Sequence, residues 1–332
     1  MPTTSRPACR MGRWVGILLC VFLGACAANR TQPLGTRPHP VTEPERDLTG
    51  SLAALPVPAL LERGRAHLAA GNYPLGELHF AQVLKTNPDS QEALLGIAEC
   101  LRKEQKNAAA RGAFEQALSN DPNATPALLG LGRVSLALGD AKTAIQYLAR
   151  AKDLAPDNPE VLTELALAFE ASGKETLAEP LLARVTELQP NSATAYNNKG
   201  FNFVLQKRFA EAVPPLERAL QLAPSDRLVL NNLGLACAMT GQDERAFQLF
   251  ERSVGKAGAY NNLGYVYMTK GDWQKAEQAF NQAMTTDPKF YTRAKQNLDD
   301  LAQLILQGAK KDVEVLKGEA AGNPGAAAKA QH

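Results

Sequence analysis

The sequence has few of the residues on which enzymes and metal sites depend. Only four histidines occur in 332 residues, and no HExxH, CxxC or clustered Cys/His pattern brings metal ligands together. Phosphate-binding glycine loops and the GxSxG nucleophile motif are missing as well. We therefore expect no catalysis, no metal and no cofactor. His67 lies among repeated apolar residues, and we interpret it as a packed imidazole rather than a base.

Aromatic residues and excess charge are also scarce. Aromatics make up 6% of the chain, whereas hydrophobic residues make up 45%, with many Ala and Leu. This balance favours an all-α protein over a β-sandwich, which uses aromatic and β-branched residues. The formal net charge is only +2. A chain so close to neutrality has no electrostatic basis for binding nucleic acid.

The first 25 residues have the pattern of an export signal. Arg6, Arg10 and Arg13 precede the apolar run WVGILLCVFL at residues 14–23. About ten apolar residues fit a signal peptide and are fewer than the roughly 20 that span a bilayer. The sequence therefore predicts a signal peptide over residues 1–25, and its removal takes away three positive charges.

The residues after this run predict a lipid anchor. Leu23-Gly24-Ala25-Cys26 resembles the lipobox of bacterial lipoproteins. That resemblance implies acyl chains such as palmitate on Cys26, with cleavage just before it. The next residue is Ala27 rather than Asp, which by the same resemblance implies sorting to the outer membrane. Two alternatives stay open: ordinary signal-peptidase cleavage, giving a soluble periplasmic protein, and a cytoplasmic protein with an uncleaved N-terminus.

Two further segments are described by composition. Residues 26–56 are rich in Pro, Thr and Arg without apolar periodicity, so they predict a disordered tether with a reach of about 30 Å. Cys100 and Cys237 are the cysteines beyond the predicted signal and anchor. We interpret both as small buried apolar residues, and the alternative is a regulatory or intermolecular thiol.

An internal repeat is the strongest pattern in the sequence. Five prolines follow one another at intervals of 34 residues, and a sixth comes 64 residues later. With proline set as position 32, small residues recur at positions 8 and 20, and large apolar residues recur at position 24. The prolines are Pro88, Pro122, Pro156, Pro190, Pro224 and Pro288. Position 8 holds Gly64, Ala98, Gly132, Ala166, Gly200, Gly234 and Gly264. Position 20 holds Gly76, Ala110, Ala144, Ala178, Ala212, Ala246 and Ala276, and position 24 holds Phe80, Phe114, Leu148, Leu182, Leu216, Phe250 and Phe280.

This pattern resembles the tetratricopeptide repeat (TPR) family. The resemblance implies an all-α TPR solenoid, a right-handed superhelix of helix A–turn–helix B repeats, in which position 8 faces position 20. Gly at position 15 of five repeats suits the turn after helix A. The seven repeats are 57–90, 91–124, 125–158, 159–192, 193–226, a shortened 227–256, and 257–290. We expect a capping helix at 291–307 and a disordered tail at 308–332.

The resemblance also indicates where a partner would bind. In TPR proteins the A helices line the concave face, and the last three repeats have paired asparagines at positions 5 and 6, with apolar residues beside them. Side-chain amides there can bind the backbone of an extended peptide. The predicted groove comprises Asn197, Asn198, Phe201, Leu205, Asn231, Asn232, Leu235, Met239, Asn261, Asn262, Tyr265 and Met268. The alternative is that these asparagines only stabilise neighbouring helices.

Together, a lipobox, a tether and TPR repeats resemble outer-membrane lipoproteins that assemble pili and secretion machines. The segments NNLGLA, AYNNLGYVYM and DPKFYTRAKQNL are similar to the TPR component of tight-adherence (Flp) pilus assembly. This implies a lipid-anchored scaffold on the periplasmic face of the outer membrane. It would bind an extended peptide segment or helix of a pilus or secretion component. Alternatives are a pilotin-like escort of a secretin and a periplasmic adaptor for cell-wall enzymes.

Overall fold

The computed structural model describes residues 55–287 and 291–322, with side chains described for residues 55–287 and 292–307. These ranges contain fourteen α-helices and no β-strand, which confirms the predicted all-α class. The predicted signal peptide, the lipid attachment at Cys26 and nearly all of the predicted tether lie outside the described residues. Each described helix is too short or too polar to cross a bilayer.

The helices follow the repeat pattern closely. Up to residue 239, helices of 13 and 14 residues alternate, and each 13-residue helix begins at the first residue of a predicted repeat. The helices are α1 (Val57–Ala69), α2 (Tyr73–Thr86), α3 (Gln91–Lys103), α4 (Asn107–Asn120), α5 (Thr125–Ala137), α6 (Ala141–Leu154), α7 (Pro159–Ala171), α8 (Glu175–Leu188), α9 (Ala193–Leu205), α10 (Phe209–Leu222), α11 (Arg227–Met239), α12 (Asp243–Lys270), α13 (Trp273–Thr286) and α14 (Tyr291–Gly322).

The chain forms two compact units that divide between Arg208 and Phe209. The N-terminal unit contains α1 to α9, and the C-terminal unit contains α10 to α14. In the N-terminal unit each helix packs against the next, and the first helices of neighbouring repeats, α1, α3, α5 and α7, also contact one another in order. The N-terminal unit is therefore a stack of four helical hairpins followed by α9.

Several helices begin at short polar capping side chains, and the first helix of each repeat ends near a residue with positive φ. Ser90 Oγ accepts a hydrogen bond from the backbone N–H of Ala93 at the start of α3, where it satisfies a donor that has no partner within the helix. At position 15, the turn after helix A, all seven repeats have a positive φ. Five have Gly there, but Gln105 and Lys207 adopt φ of 62° and 60°. The turn therefore requires this conformation even where the sequence lacks glycine.

Large residues at position 24 fill the space left by small residues. A Cβ on Gly64 would lie 2.7 Å from Cε1 of Phe80, and a Cβ on Gly234 would lie 2.7 Å from Cε1 of Phe250. Position 20 packs on the backbone opposite, since a Cβ on Gly76 would lie 3.4 Å from the carbonyl oxygen of Gly64. The residue at position 8 therefore contacts two residues of the second helix. It lies against position 20, which packs on its backbone, and against the large side chain at position 24.

The sixth repeat ends without a loop. Its second helix continues into the first helix of the seventh repeat as α12, with a kink at Gly255, where φ is 79° and ψ is 170°. The sixth repeat, predicted as shortened, has four residues fewer than the others. The structure accommodates the deletion with one backbone conformation that is almost restricted to glycine.

The C-terminal helix is longer than the sequence predicted. Leu301 is buried with Ala276 and Phe280, and Leu298 packs against this cluster, so the helix covers the end of the last repeat. The prediction ended this helix at residue 307, whereas α14 continues to Gly322. Ala, Lys, Glu and Leu, which are frequent between residues 308 and 322, are strong helix formers.

Candidate protein-binding grooves

A groove of about 840 Å³ runs across the first four repeats in the N-terminal unit. It is lined by the first helices α1, α3 and α5, by the start of α7, and by the turns between repeats. We call it the N-terminal groove. Leu68, Leu95 and Leu129 supply its apolar walls, and the rings of Phe80 and Phe114 form part of its floor. Its volume lies in the usual range for sites that bind a ligand or a peptide segment.

Two glycines shape this floor. Gly96 and Gly130 occupy position 6 of the second and third repeats, and each lies against the ring at position 24 of the repeat before it. A Cβ on Gly96 would lie 2.5 Å from Cε2 of Phe80, and one on Gly130 would lie 2.3 Å from Cε1 of Phe114. Real Cβ atoms do not approach other atoms so closely, so glycine is required at both places for the rings to reach the groove.

Charged residues at the rim of the N-terminal groove form ion pairs within the chain. Arg65 pairs with Glu92 of the next repeat. Arg133 donates from Nε to Glu164 Oε1 at 2.8 Å and from Nη2 to Glu160 Oε2 at 3.2 Å. These pairs join the first helices of neighbouring repeats and leave the rim close to electrical neutrality.

A fourth rim carboxylate is paired within its own helix. Arg102 donates from Nε to Glu99 Oε2 at 2.8 Å, and this hydrogen bond is the largest cause of the raised pKa of the Arg102 guanidinium. The Arg102–Glu99 pair is half-buried, whereas the Arg65–Glu92 pair is exposed and contributes little stability. The main effect of the rim ion pairs is that they reduce the net charge that a ligand would meet at the groove.

Four of the predicted groove residues lie on α9, in the N-terminal unit. Asn197 is buried, with 4% of its surface exposed. Asn198, Phe201 and Leu205 are half-buried. None of the four lines the N-terminal groove.

Four more predicted groove residues lie on α11, in the C-terminal unit. Asn232 and Leu235 are buried. Asn231 and Met239 are half-buried, and the Oδ1 atom of Asn231 is shielded from solvent with no hydrogen-bond partner among the described residues. The exposed polar atoms that a peptide backbone would need are therefore few on this helix.

The last four predicted groove residues lie on α12, and two of them, Asn261 and Tyr265, form hydrogen bonds with the C-terminal helix. Asn297 of α14 donates from Nδ2 to Asn261 Oδ1 at 2.7 Å. The Tyr265 hydroxyl donates to Asn297 Oδ1 at 2.5 Å, and burial is the main cause that raises its pKa. Asn262 and Met268 are half-buried. For Asn261, this buried bridge is the helix-stabilising role that the sequence analysis kept as its alternative.

The sequence analysis missed the N-terminal groove. It expected the binding surface in the last three repeats. The sequence did contain a signal for this groove, namely Gly96 and Gly130 inside predicted helices. Glycine inside a helix lowers stability, so its presence there often indicates close packing. The partner in that packing, a ring from the preceding repeat, became visible only in three dimensions.

Among the described residues, His79, Cys100 and Cys237 are buried and His67 is half-buried. The rings of His67 and His79 lie 5.0 Å apart, and His79 donates from Nδ1 to the Leu75 carbonyl oxygen at 2.7 Å. Cys100 and Cys237 are free thiols and fully buried, in agreement with the sequence interpretation. No group of three or more potential metal ligands occurs in the described ranges.

Family comparisons agree with the repeat geometry. Residues 61–125 and 203–258 match a tetratricopeptide repeat family, and residues 257–290 match a second one. Residues 113–229 match the family described as the TPR domain of cytochrome c-type biogenesis protein H. The repeats are tetratricopeptide repeats. No curated protein sequence matches the chain.

Solved TPR structures resemble this TPR chain in fold. A tetratricopeptide repeat protein from Parabacteroides merdae has 16% identity and a TM-score of 0.54, covering 74% of this chain and 98% of its own. YrrB, described as a TPR protein with an unusual peptide-binding site, has 20% identity and a TM-score of 0.46, covering 60% and 96%. TTC0263 from Thermus thermophilus has 21% identity and a TM-score of 0.47, covering 55% and 98%. At these identities the likeness concerns the fold alone.

Proposed function

We propose that this TPR protein is a non-catalytic scaffold that binds a segment of a partner protein in the N-terminal groove. The observation that carries the proposal is the groove itself, a concave surface of about 840 Å³ with apolar side chains such as Leu68 and Leu95 in its walls, held between packed helices. Side chains held by packed helices bind a ligand without losing much conformational freedom. TPR solenoids present extended surfaces of this kind to other proteins.

A photo-crosslinking amino acid in place of Thr125 tests the site in cells. Thr125 lines the groove and is half-buried. We expect light-dependent crosslinking to a specific protein from Thr125 and none from the matched control position, Glu115, which is exposed on α4 and outside the groove. Equal crosslinking from both positions would contradict the proposal.

We further propose that the scaffold works in the cell envelope, held at the periplasmic face of the outer membrane through acyl chains on Cys26. The lipobox-like residues 23–26 support this part of the proposal. Two or more acyl chains hold a protein firmly on a membrane, whereas one chain binds reversibly. Cys26→Ser should abolish palmitate labelling and release the protein from the outer-membrane fraction. Persistent labelling of the variant would refute the anchor.

The partner that we propose is a component of a pilus or secretion apparatus, as in tight-adherence pilus assembly. Similarity of the last two repeats to the TPR component of that system supports this choice. A second candidate is an assembly role in the maturation of c-type cytochromes, which the family match of residues 113–229 favours. The protein captured through Thr125 distinguishes them, because a pilus or secretin subunit supports the first and a cytochrome maturation component supports the second.

The asparagine-rich repeats offer a second test of where the partner binds. Asn198, Asn232 and Asn262 remain the predicted peptide-binding amides of the last three repeats. Changing all three to Ala removes hydrogen bonds worth about 0.5–1.5 kcal/mol each. If they bind the partner, capture falls while the melting temperature is kept. If they are structural, the melting temperature falls while the folded protein still captures its partner.

A further inference from the structure

The C-terminal helix α14 continues far beyond the helix on which it packs. Among its described side chains, the buried ones are Ala294, Asn297 and Leu301. α14 has 32 residues, whereas α13, its main neighbour, has 14. At 1.5 Å per residue, α14 is about 48 Å long and α13 is about 21 Å long. More than half of α14 therefore extends past the helix that supports its first turns.

Exposed apolar residues follow Leu301 on a second face of α14. Leu306 is 61% exposed, and the adjacent Ile305 is 44% exposed. Leu306 comes five residues after Leu301, which places it about 140° around the helix from the side chain that packs on the last repeat. Single exposed apolar residues are common on protein surfaces and indicate nothing alone. These two, however, begin a longer pattern.

The apolar pattern continues nearly to the end of the helix. Apolar residues recur at alternating intervals of four and three, which is the heptad spacing of a coiled coil. We call this set the α14 stripe. It comprises Leu306, Val313 and Ala320 at heptad position a, and Ala302, Ala309 and Leu316 at position d. Helices in proteins gain most of their stability by packing an apolar face, so the stripe indicates a helical partner.

The charged residues beside the α14 stripe favour a second copy of the chain in parallel orientation. Position e holds Lys310 and Lys317, and position g holds Asp312 and Glu319. In a parallel pair, a residue at g faces position e of the following heptad on the other helix, so Asp312 of one copy meets Lys317 of the other. An antiparallel pair brings e to e and g to g, which places like charges together. The helix is therefore complementary to itself in one orientation.

A membrane surface fits this part of α14 less well. Helices that lie on membranes carry an excess of Lys and Arg on their polar face. Residues 308–322 instead contain as many acidic as basic side chains. They are Lys310, Lys311, Lys317, Asp312, Glu314 and Glu319. Without an excess of positive charge, the segment gains no net electrostatic attraction to anionic lipids.

We propose that residues 302–320 of α14 form a parallel, two-stranded coiled coil with the same segment of a second copy of this chain. The evidence for it is independent of the N-terminal groove. The stripe spans fewer than three heptads and includes three alanines, so the dimer should be weak and concentration-dependent. Such a dimer carries two N-terminal grooves, which would let it bind a partner that has repeated subunits with avidity.

Disulfide capture in the purified full-length protein tests the pairing and its register. In a parallel, in-register dimer, Ala309 at position d faces its own counterpart, whereas Lys311 at position f faces away, beyond the roughly 7 Å that a disulfide permits. Under mild copper–phenanthroline oxidation, Ala309→Cys should give at least about fivefold more disulfide-linked dimer than Lys311→Cys. The parent chain, in which Cys100 and Cys237 are buried, supplies the background. Equal yields from the two variants would overturn the proposal.

Charge reversal tests the orientation in the Ala309→Cys background. Lys310→Glu with Lys317→Glu makes positions e and g acidic, and the dimer yield should fall at least about fivefold. Adding Asp312→Lys and Glu319→Lys restores opposite charges at the two positions, and the yield should return to within about twofold of the starting level. If the first pair of changes has no effect, or the second pair brings no recovery, the parallel pairing is wrong.

A substitution in the α14 stripe tests the apolar contact. Leu306→Asn in the same background should lower the dimer yield at least about fivefold, because a polar side chain replaces an apolar one at position a. Leu138→Asn, the same change at a leucine that is 47% exposed in the N-terminal unit, should leave the yield unchanged. Melting curves show that each variant is folded. Equal yields from the two variants would contradict the role of the stripe.

A photo-crosslinking amino acid in place of Leu306 identifies the occupant in cells. We expect a product of twice the mass of the chain, which mass spectrometry identifies as two copies of this protein. A crosslink to a different protein or to lipid alone would overturn the proposal. Crosslinking through Thr125 tests the groove separately, so either proposal can fail while the other stands.

Discussion

Replacement of Gly130 by Ala tests the packing that forms the N-terminal groove. The added Cβ would lie 2.3 Å from both Cε1 and Cζ of Phe114. The ring is 3% exposed and packed in the core formed by α3, α4 and α5, so it has little room to move away. Overpacking of this kind costs about 1–3 kcal/mol.

The matched control is Gly112→Ala, the same substitution in the interior of α4. A Cβ on Gly112 would meet no atom within 4 Å. Alanine is a better helix former than glycine by about 0.8–1 kcal/mol, so this variant should be more stable than the parent protein. Because the gain in helix propensity is common to both substitutions, they should differ by the overpacking cost alone, about 1–3 kcal/mol in the free energy of unfolding.

Urea unfolding followed by far-ultraviolet circular dichroism measures this difference, with the slope of each transition compared to show that the same structure unfolds. A second variant locates the cause. Phe114→Ala removes the ring at a cost of about 3–5 kcal/mol, and Gly130→Ala in that background should then be stabilising by about 0.8–1 kcal/mol, as Gly112→Ala is in the parent protein. If Gly130→Ala is harmless in the parent protein, or equally harmful in both backgrounds, the contact between this glycine and the ring is not what stabilises the fold.

Four other outcomes follow from the structure. Lys207→Gly should raise the free energy of unfolding by about 0.5–1 kcal/mol, because φ is 60° there, and an unchanged urea midpoint would contradict this. Gly255→Ala should lower the free energy of unfolding by about 1–3 kcal/mol. The cause would be backbone strain alone, since an added Cβ would have no other atom within 4 Å. An unchanged free energy of unfolding would contradict the kink at this residue. Burial raises the pKa of the Cys100 thiol to about 11, so maleimide should label it only after unfolding, and rapid native labelling would refute its burial. Burial, together with the nearby His79 imidazole, lowers the pKa of His67, so the folded state favours the neutral ring. The free energy of unfolding should therefore be highest above pH 6.5 and fall as the pH is lowered. This fall should be larger in the parent protein than in His67→Phe.

Much of the fold follows from the repeat pattern in the sequence. Because each repeat has neighbours of the same kind, the same contact recurs every 34 residues and requires the same type of side chain each time. This is why the prolines and the small residues at positions 8 and 20 locate six first helices to the residue. Burial of Cys100 and Cys237 follows from the same register.

Backbone conformation at irregular places was less predictable. Gln105 and Lys207 adopt positive φ because the hairpin geometry of their repeats requires it, although neither residue type favours it. Gly255 absorbs a deletion that the sequence shows only as missing residues. In both cases the packing of two helices supplies the energy that holds an unfavourable conformation, and that packing is not a local property of the sequence.

The sequence by itself determined the helical class, the repeat length and the residue types at the helix contacts, because these depend on periodic local patterns. The tertiary structure decided where the N-terminal groove lies. Gly96 and Gly130 are separated by 16 residues from the rings that they contact, and only packing between repeats brings the pairs together. It likewise covered Asn261 with Asn297 of the C-terminal helix. Whether a side chain is free to bind depends on its neighbours in space, and the repeat pattern specifies those neighbours by type rather than by position.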